Sequence, residues 1–410
     1  VRLKQGLVKK TLLRTAPGVF EERHATWLEL FYDLAFVAVI SQISHNLAED
    51  FTFVGVLKAC AFYVPVWWAW VGQAFYLSRF DSDDIIHRLL ALAQILIAAF
   101  MAVSISPAFD GNADYFAMCY AAIRGILVVQ YFVAGSQLPK AKRLTKRYCF
   151  GFGLAAVLWV ASMFVEPAVQ FVLWGLAFAI DFITPLTAVQ ASIDLPPNYS
   201  HIPERFGLFT IIVLGEAILA AVSGMQMEKS GSISLLIGPL GLVLAFSIWW
   251  MYFDGVRGNQ VQIPKLRKDA RRLLTWMYSH LVLSLGIVVT SVGIKKGMLA
   301  QGLAQMKPVE ATIFTLGVSA VMIALHVIQV TGLNRKLFKI VFKLSLPHWL
   351  TSIALVSTLA FCSRIPAIGL ISWLCVLCVL QVLWTLREMP EMDELLRKIE
   401  SAKRQTASQV

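Results

Sequence analysis

The sequence predicts an all-α integral membrane protein, with about twelve transmembrane helices in two parallel six-helix repeats. Three observations lead there. The 410 residues are 58% hydrophobic and only 15% charged, against about 25% charged in an ordinary soluble domain. The apolar residues gather in runs of about 18–25, the length that crosses a ~30 Å hydrocarbon core as a helix rising 1.5 Å per residue. Landmark residues of the first half of the chain recur in the second half at an offset of about 182.

In chain order, residues 1–26 form a basic amphipathic segment that mixes Leu3, Leu7, Val8, Leu12 and Leu13 with Arg2, Lys4, Lys9, Lys10 and Arg14. That composition suits the surface of an anionic leaflet, and the segment lacks the long apolar core of a cleavable signal peptide. The first half, 27–190, holds runs at 27–47, 53–77, 85–106, 114–136, 148–165 and 168–190. The second half, 203–386, holds runs at 205–225, 233–253, 272–294, 309–331, 341–362 and 366–386. Very short turns, at Glu166-Pro167 and at Arg364-Ile365-Pro366, divide the last pair of runs in each half. In the tail, 387–410, Met392, Leu395, Leu396 and Ile399 recur at the spacing of a short amphipathic helix.

Placing the N-terminus in the cytoplasm puts 29 of the 36 lysines and arginines in inner loops and tails, the asymmetry expected of an inner-membrane protein with both termini inside. The net charge of +11 then reflects basic loops beside anionic lipid and requires no nucleic acid. All six cysteines lie in or at the ends of apolar runs. The pair Cys375-Val-Leu-Cys378 has no histidine or carboxylate near it in sequence, so it reads as small packing residues rather than a redox or metal motif. The acidic turn Arg79-Phe-Asp-Ser-Asp-Asp84 reads first as the N-cap of the following helix and second as a divalent-cation loop. Walker A, nucleophile-elbow, HExxH and dinucleotide signatures are absent, so neither an enzyme nor a cofactor is expected.

The repeat is legible residue by residue. Glu22-Arg23 precedes the first run and Glu204-Arg205 the seventh; Asp33 lies ten residues beyond Arg23, and Glu216 eleven beyond Arg205. Trp67-Trp68 falls opposite Trp249-Trp250, and His87-Arg88-Leu89-Leu90 opposite Arg271-Arg272-Leu273-Leu274. An even number of spans gives both halves one orientation, the parallel repeat of several transporter architectures.

Charges in the spans carry the functional reading, because a charge in hydrocarbon costs from ~3 to ~10 kcal/mol or more and persists where it pairs or works. Glu29 and Asp33 open the first run, Arg124 lies mid-way along the fourth, Asp181 in the sixth and Glu216 in the seventh. They suggest one cluster between the halves, in which Arg124, the sole deep permanent cation, neutralises one of Asp33, Glu216 and Asp181. More carboxylates than cations would leave one free to take up a proton or a cation. Asp33, with a counterpart in Glu216, is the deep, twice-built position; Glu29, opposite Ile211, is the shallower partner facing Arg23 or the headgroups. A static ion-pair network that holds helices together is the competing reading. His45 and His280 are candidate proton relays, and no histidines have metal-ligand spacing. Trp67, Trp68, Trp249 and Trp250 read as an interfacial aromatic belt or as a cavity lining contributed by both halves.

Two stretches resemble known families. Arg23-His-Ala-Thr-Trp-Leu-Glu-Leu-Phe-Tyr-Asp-Leu-Ala-Phe-Val and Glu204-Arg-Phe-Gly-Leu-Phe-Thr-Ile-Ile-Val-Leu-Gly-Glu-Ala-Ile-Leu resemble the bacterial low temperature requirement protein A (LtrA) family. The resemblance implies a polytopic bacterial membrane protein linked to growth in the cold, without an established substrate. The first helix alone is also similar to the Arg…Phe-Ser-Asp helix of endolysosomal-type potassium channels, with Tyr32 where that motif has Ser. Together these expectations favour a transporter-like protein for a small solute or ion, with proton coupling as one option. A cation channel and a non-transporting scaffold are the alternatives, and membrane lipid is the expected surround. The oligomeric state is not encoded in any pattern here.

Overall fold

The computed structural model describes residues 11–13, 25–81, 84–198, 201–225, 234–255, 267–300, 303–332 and 346–407. The first half contributes α1 (Trp27–Glu49), α2 (Phe53–Arg79), α3 (Ile85–Phe109), α4 (Asp114–Gln137), α5 (Lys142–Ala161), α6 (Pro167–Thr187) and the short α7 (Val189–Asp194). The second contributes α8 (His201–Met225), α9 (Ser234–Trp250), α10 (Arg267–Leu299), α11 (Pro308–Gly332), α12 (Leu346–Thr358) and α13 (Ala367–Ala407). Among the described residues, eleven helices are long and apolar enough to cross a membrane. The twelfth expected run, 341–362, has its described helix only over Leu346–Thr358, about 20 Å at the helical rise.

Local chemistry sets the boundaries. Thr26 begins α1 with a capping box: its hydroxyl accepts the Glu29 N–H, and the Glu29 carboxylate accepts the Thr26 N–H. Thr52 caps α2 and Asp84 caps α3, the latter accepting from the His87 N–H at 2.7 Å. The acidic turn before α3 is thus a cap, as its first reading expects. Gly111, at φ +102, makes the turn between α3 and α4 that a side chain would strain. The tail differs from expectation: α13 runs unbroken from Ala367 to Ala407, so last span and tail form one helix instead of two. A single proline, Pro390, removes one hydrogen bond but does not end it.

Helix ends alternate between two ends of the bundle. A proximal end, where α1 starts, is sewn by an antiparallel ribbon of β1 (Leu12–Leu13) and β2 (Phe80–Asp81) and by the Thr11 N–H bound to Gln137. The rest of the basic segment 1–26, apart from Ala25 and Thr26, lies outside the described residues. In the first half α1 packs on α2 and α3, and α4 and α6 both pack on α5; in the second, α8 packs on α9 and α10, and α10 on α11. The halves meet where α1 and α2 lie against α8 and α10. Trp67, Trp70, Tyr63, Phe36 and Trp276 are fully buried, while Phe100, Phe132, Phe150 and Val103 stand on the outside of the bundle. A bundle that exposes so many large apolar side chains on its perimeter has lipid for its solvent.

Candidate functional site

The seam between α1 and α8 holds the main polar cluster. On α1, Glu29 and Asp33 are one turn apart and share a face; on α8, His201 and Arg205 have the same spacing. The Nε2 of His201 lies 2.8 Å from the Glu29 Oε2. Arg205 forks across the seam, with Nη1 3.2 Å from the Glu29 Oε2 and Nη2 2.5 Å from the Asp33 Oδ1. The Trp70 indole N–H of α2 donates to the same Asp33 oxygen at 2.7 Å. Each rung joins residues 172 apart, so α1 and α8 run in the same direction where they touch. Asp33, His201 and Arg205 are inaccessible, and Glu29 nearly so.

The same register continues along the seam. Between Asp33 and Ser41 the buried side chains of the two helices include the apolar Phe36, Val39, Ile40, Phe209 and Val213. Beyond that apolar stretch the Ser41 and Ser44 hydroxyls reach Glu216, and Ser44 and Glu216 are again 172 positions apart. The seam therefore has acids at both ends and roughly 12 Å of hydrocarbon-like side chains between them, from the helical rise over eight residues. Glu216 floors a cleft of about 350 Å³ that opens at the distal end, lined also by His45, Ser223, Ser291 and Lys295.

Arg124 belongs to a second cluster, wholly inside the first half. Its Nη2 meets the Asp181 Oδ2 at 3.0 Å, its Nε donates to the Tyr120 hydroxyl at 2.9 Å, and Tyr120 donates to the same Asp181 oxygen at 2.7 Å. The guanidinium centre lies 4.8 Å from the Phe152 ring, a cation–π contact. Gly72 makes room for it: a Cβ there would stand 2.8 Å from the Arg124 Nη1. Tyr32, next to Asp33 on α1, lies within electrostatic reach of both Arg124 and Arg205.

Several sequence expectations are corrected by this geometry. The five charged residues do not form one cluster: Glu29 and Asp33 join Arg205, Arg124 joins Asp181, and Glu216 lies apart from both, beside Ser41 and Ser44 in the distal cleft. Arg124 is not the sole deep cation, because α8 begins at His201 and carries Arg205 inside the bundle; Pro203 in that first turn gives up an N–H that has no helical partner there. Glu29 is not an interfacial residue facing the headgroups but a buried carboxylate that meets His201 and forms an ion pair with Arg205; Arg23, its expected partner, lies outside the described residues. Trp67 and Trp68 are buried, so they form no interfacial belt; the Trp68 ring stacks on Tyr278 of α10 at 5.8 Å, across the halves. Trp249 and Trp250 are half-buried near Phe246 and Phe253. His45 is exposed and pairs with Glu49 at 3.3 Å. His280 is buried, bound to the Trp276 carbonyl at 2.8 Å and the Tyr252 hydroxyl at 3.0 Å. With its Nδ1 proton donated to a carbonyl, its Nε2 accepts from Tyr252, an arrangement of the neutral ring.

These features define a polytopic helical membrane protein with charged clusters sealed inside its bundle. A sequence profile of the bacterial low temperature requirement A protein (LtrA) family matches residues 24–383, and the chain belongs to that family. It is also similar to an uncharacterized protein of Rhizobium meliloti (strain 1021), 27% identical over 307 residues, which span 67% of this chain and 73% of the relative. No solved structure matches the chain.

Proposed function

We propose that the protein is a transporter of the bacterial inner membrane, with both termini cytoplasmic, and that the α1–α8 seam is its working part. The carrying observation is the Glu29–Asp33–His201–Arg205 cluster. It joins two halves whose helices run parallel at the contact, and it places two carboxylates against one permanent cation. The imidazole of His201 supplies the fourth member, its Nε2 2.8 Å from the Glu29 carboxylate. Here the Asp33 Oδ2, the Arg205 Nε and the Tyr32 hydroxyl are buried without a protein partner, each at ~1–3 kcal/mol if left so. The Arg124–Asp181 pair also leaves Arg124 Nη1 and Asp181 Oδ1 without a partner, so what singles out this seam is its place between the halves and its two carboxylates; the basic proximal end fits a cytoplasmic face. Proton coupling follows from the acid excess.

The test is proton-coupled flux in proteoliposomes loaded with a pH-sensitive dye. Asp33→Asn keeps an acceptor for both Trp70 and Arg205 and removes the charge. A monodisperse variant with flux reduced tenfold or more, about 1.4 kcal/mol on the barrier, is the expected result; unchanged flux overturns the reading.

A second reading, a non-transporting scaffold, is favoured by one observation: Asp33, Arg205, Arg124 and Asp181 are all 0% exposed, and none of the four lines the distal cleft. In that case neutralising Asp33 lowers stability and nothing else.

A further inference from the structure

The distal cleft is unlike the rest of the bundle. Its floor is Glu216, 6% exposed, whose Oε1 has no protein partner. At its rim stands Lys295, half-buried near the end of α10. The neighbouring Lys296 pairs with Glu310 at 3.7 Å, whereas Lys295 has no ion-pair partner among the described residues. His45, also on the lining, pairs with Glu49 on its own helix. One acid, met only by the Ser41 and Ser44 hydroxyls, and one base with no ion pair among the described residues thus face the same space. Two of the serines sharpen the polarity. Ser223 and Ser291 donate their hydroxyl protons to carbonyls of their own helices, Leu219 and Ile287, each at 2.7 Å. Their lone pairs remain to accept from a cationic donor.

A simple cation would suit Glu216 and the hydroxyl oxygens but would be repelled by Lys295. An anion would suit Lys295 but would meet a buried carboxylate. A molecule carrying both charges a few bonds apart satisfies both. The volume, about 350 Å³, lies at the lower end of small-molecule pockets, which fits a compact ligand.

We propose that this cleft binds a small zwitterion of the α-amino-acid class, its ammonium directed to Glu216 and the Ser223 and Ser291 oxygens, and its carboxylate to Lys295. The proposal names the substrate class of the transporter reading and rests on it for its role. The binding itself is measurable without flux.

The experiment uses the full chain in lipid nanodiscs and titrates the standard amino acids one by one, with methylammonium, acetate and potassium as single-charge probes. At least one amino acid should bind saturably, and the single-charge probes should bind about tenfold more weakly or worse, the scale of one charge-assisted hydrogen bond. Glu216→Gln and Lys295→Met should each lower that affinity by a similar factor, and Lys296→Met, the adjacent paired lysine, should not. Failure of every amino acid to bind overturns the proposal. So does methylammonium or potassium binding as well as the best amino acid, which marks a plain cation site, or an affinity unmoved by either charge-removing variant. Should Glu216→Gln misfold, Lys295→Met on the rim decides alone. Asp33→Asn separates the two readings: intact amino-acid binding with unchanged flux sinks the transport role of Asp33 and leaves the cleft standing. Lost binding of all probes with intact flux does the reverse.

Discussion

The two buried arginines answer one physical problem in different ways. Arg124 meets one carboxylate, one tyrosine hydroxyl and three aromatic faces, all within the first half. Arg205 meets two carboxylates carried by the opposite half, and a histidine shares one of them. The first arrangement balances charge one to one and locks α4 to α6. The second sets two carboxylates against one guanidinium with the His201 imidazole beside them, and it lies between the halves rather than within one. Identical residue types therefore read as a fastener in one place and as a switchable joint in the other.

The comparison is tested first at the fastener. Arg124→Met leaves Asp181 charged and dry, and removing one partner of a buried pair costs about 3–5 kcal/mol. The purified variant should show the largest fall in thermal stability of any single change considered. Pairing it with Asp181→Leu should recover most of that loss, because two apolar residues suit a dry interior, and flux should return with the fold. At the joint, Arg205→Lys keeps the charge but gives up the fork that reaches Glu29 and Asp33 together. A loss of about 1.5–3 kcal/mol is expected, with flux falling further than stability explains. If Arg205→Lys and the Arg124/Asp181 double variant gave the same pattern in both readouts, the distinction between fastener and joint would collapse.

How much of this was legible in the sequence follows the same line. Asp33, Arg124, Asp181 and Glu216 announced themselves, since a charge inside an apolar run needs a reason wherever it sits. The helical class and most span boundaries were legible for the same cause, hydropathy at membrane length. Arg205 and His201 were hidden because Pro203, Glu204 and the preceding polar residues look like a loop. Only tertiary contact with α1 shows that helix and hydrocarbon-like surroundings begin earlier. Trp70 was hidden by ambiguity, since an indole serves equally as interfacial anchor or buried donor. The Arg205–Asp33 pairing had one faint signal. The repeat set Arg23 ten residues before Asp33 and Arg205 eleven before Glu216, so arginine and acid recur together. Pairing across halves rather than within each motif is a property of packing, which no single copy of the motif contains.

Gly72 offers a narrower test of the fastener alone. Alanine there would bring a Cβ to 2.8 Å from both the Arg124 Nη1 and the Leu127 Cδ2. Arg124 is held by Tyr120 and Asp181 and cannot swing aside freely, so overpacking of about 1–3 kcal/mol is expected in thermal unfolding. Amino-acid binding at the distal cleft should be untouched, since α2 does not line it. A stability loss below 0.5 kcal/mol, the ordinary range of a neutral surface change, would mean that Arg124 is less firmly seated than its contacts indicate.

The smallest expected effect probes how the joint is aimed. Glu29 has two jobs: it closes the capping box on the Thr26 N–H at 3.3 Å, and it meets the His201 ring and forms an ion pair with Arg205. The cap fixes the carboxylate against the start of α1, where the helix dipole also favours a negative charge. Thr26→Ala removes the hydroxyl that holds the Glu29 N–H and should cost about 1 kcal/mol of stability. Because Arg205 and His201 still grip Glu29 from α8, flux should fall by less than the factor seen for Asp33→Asn. A loss of flux equal to that of Asp33→Asn would place the start of α1 in the working part itself. No change in either readout would show that α8 alone positions Glu29 and that the capping box merely starts the helix.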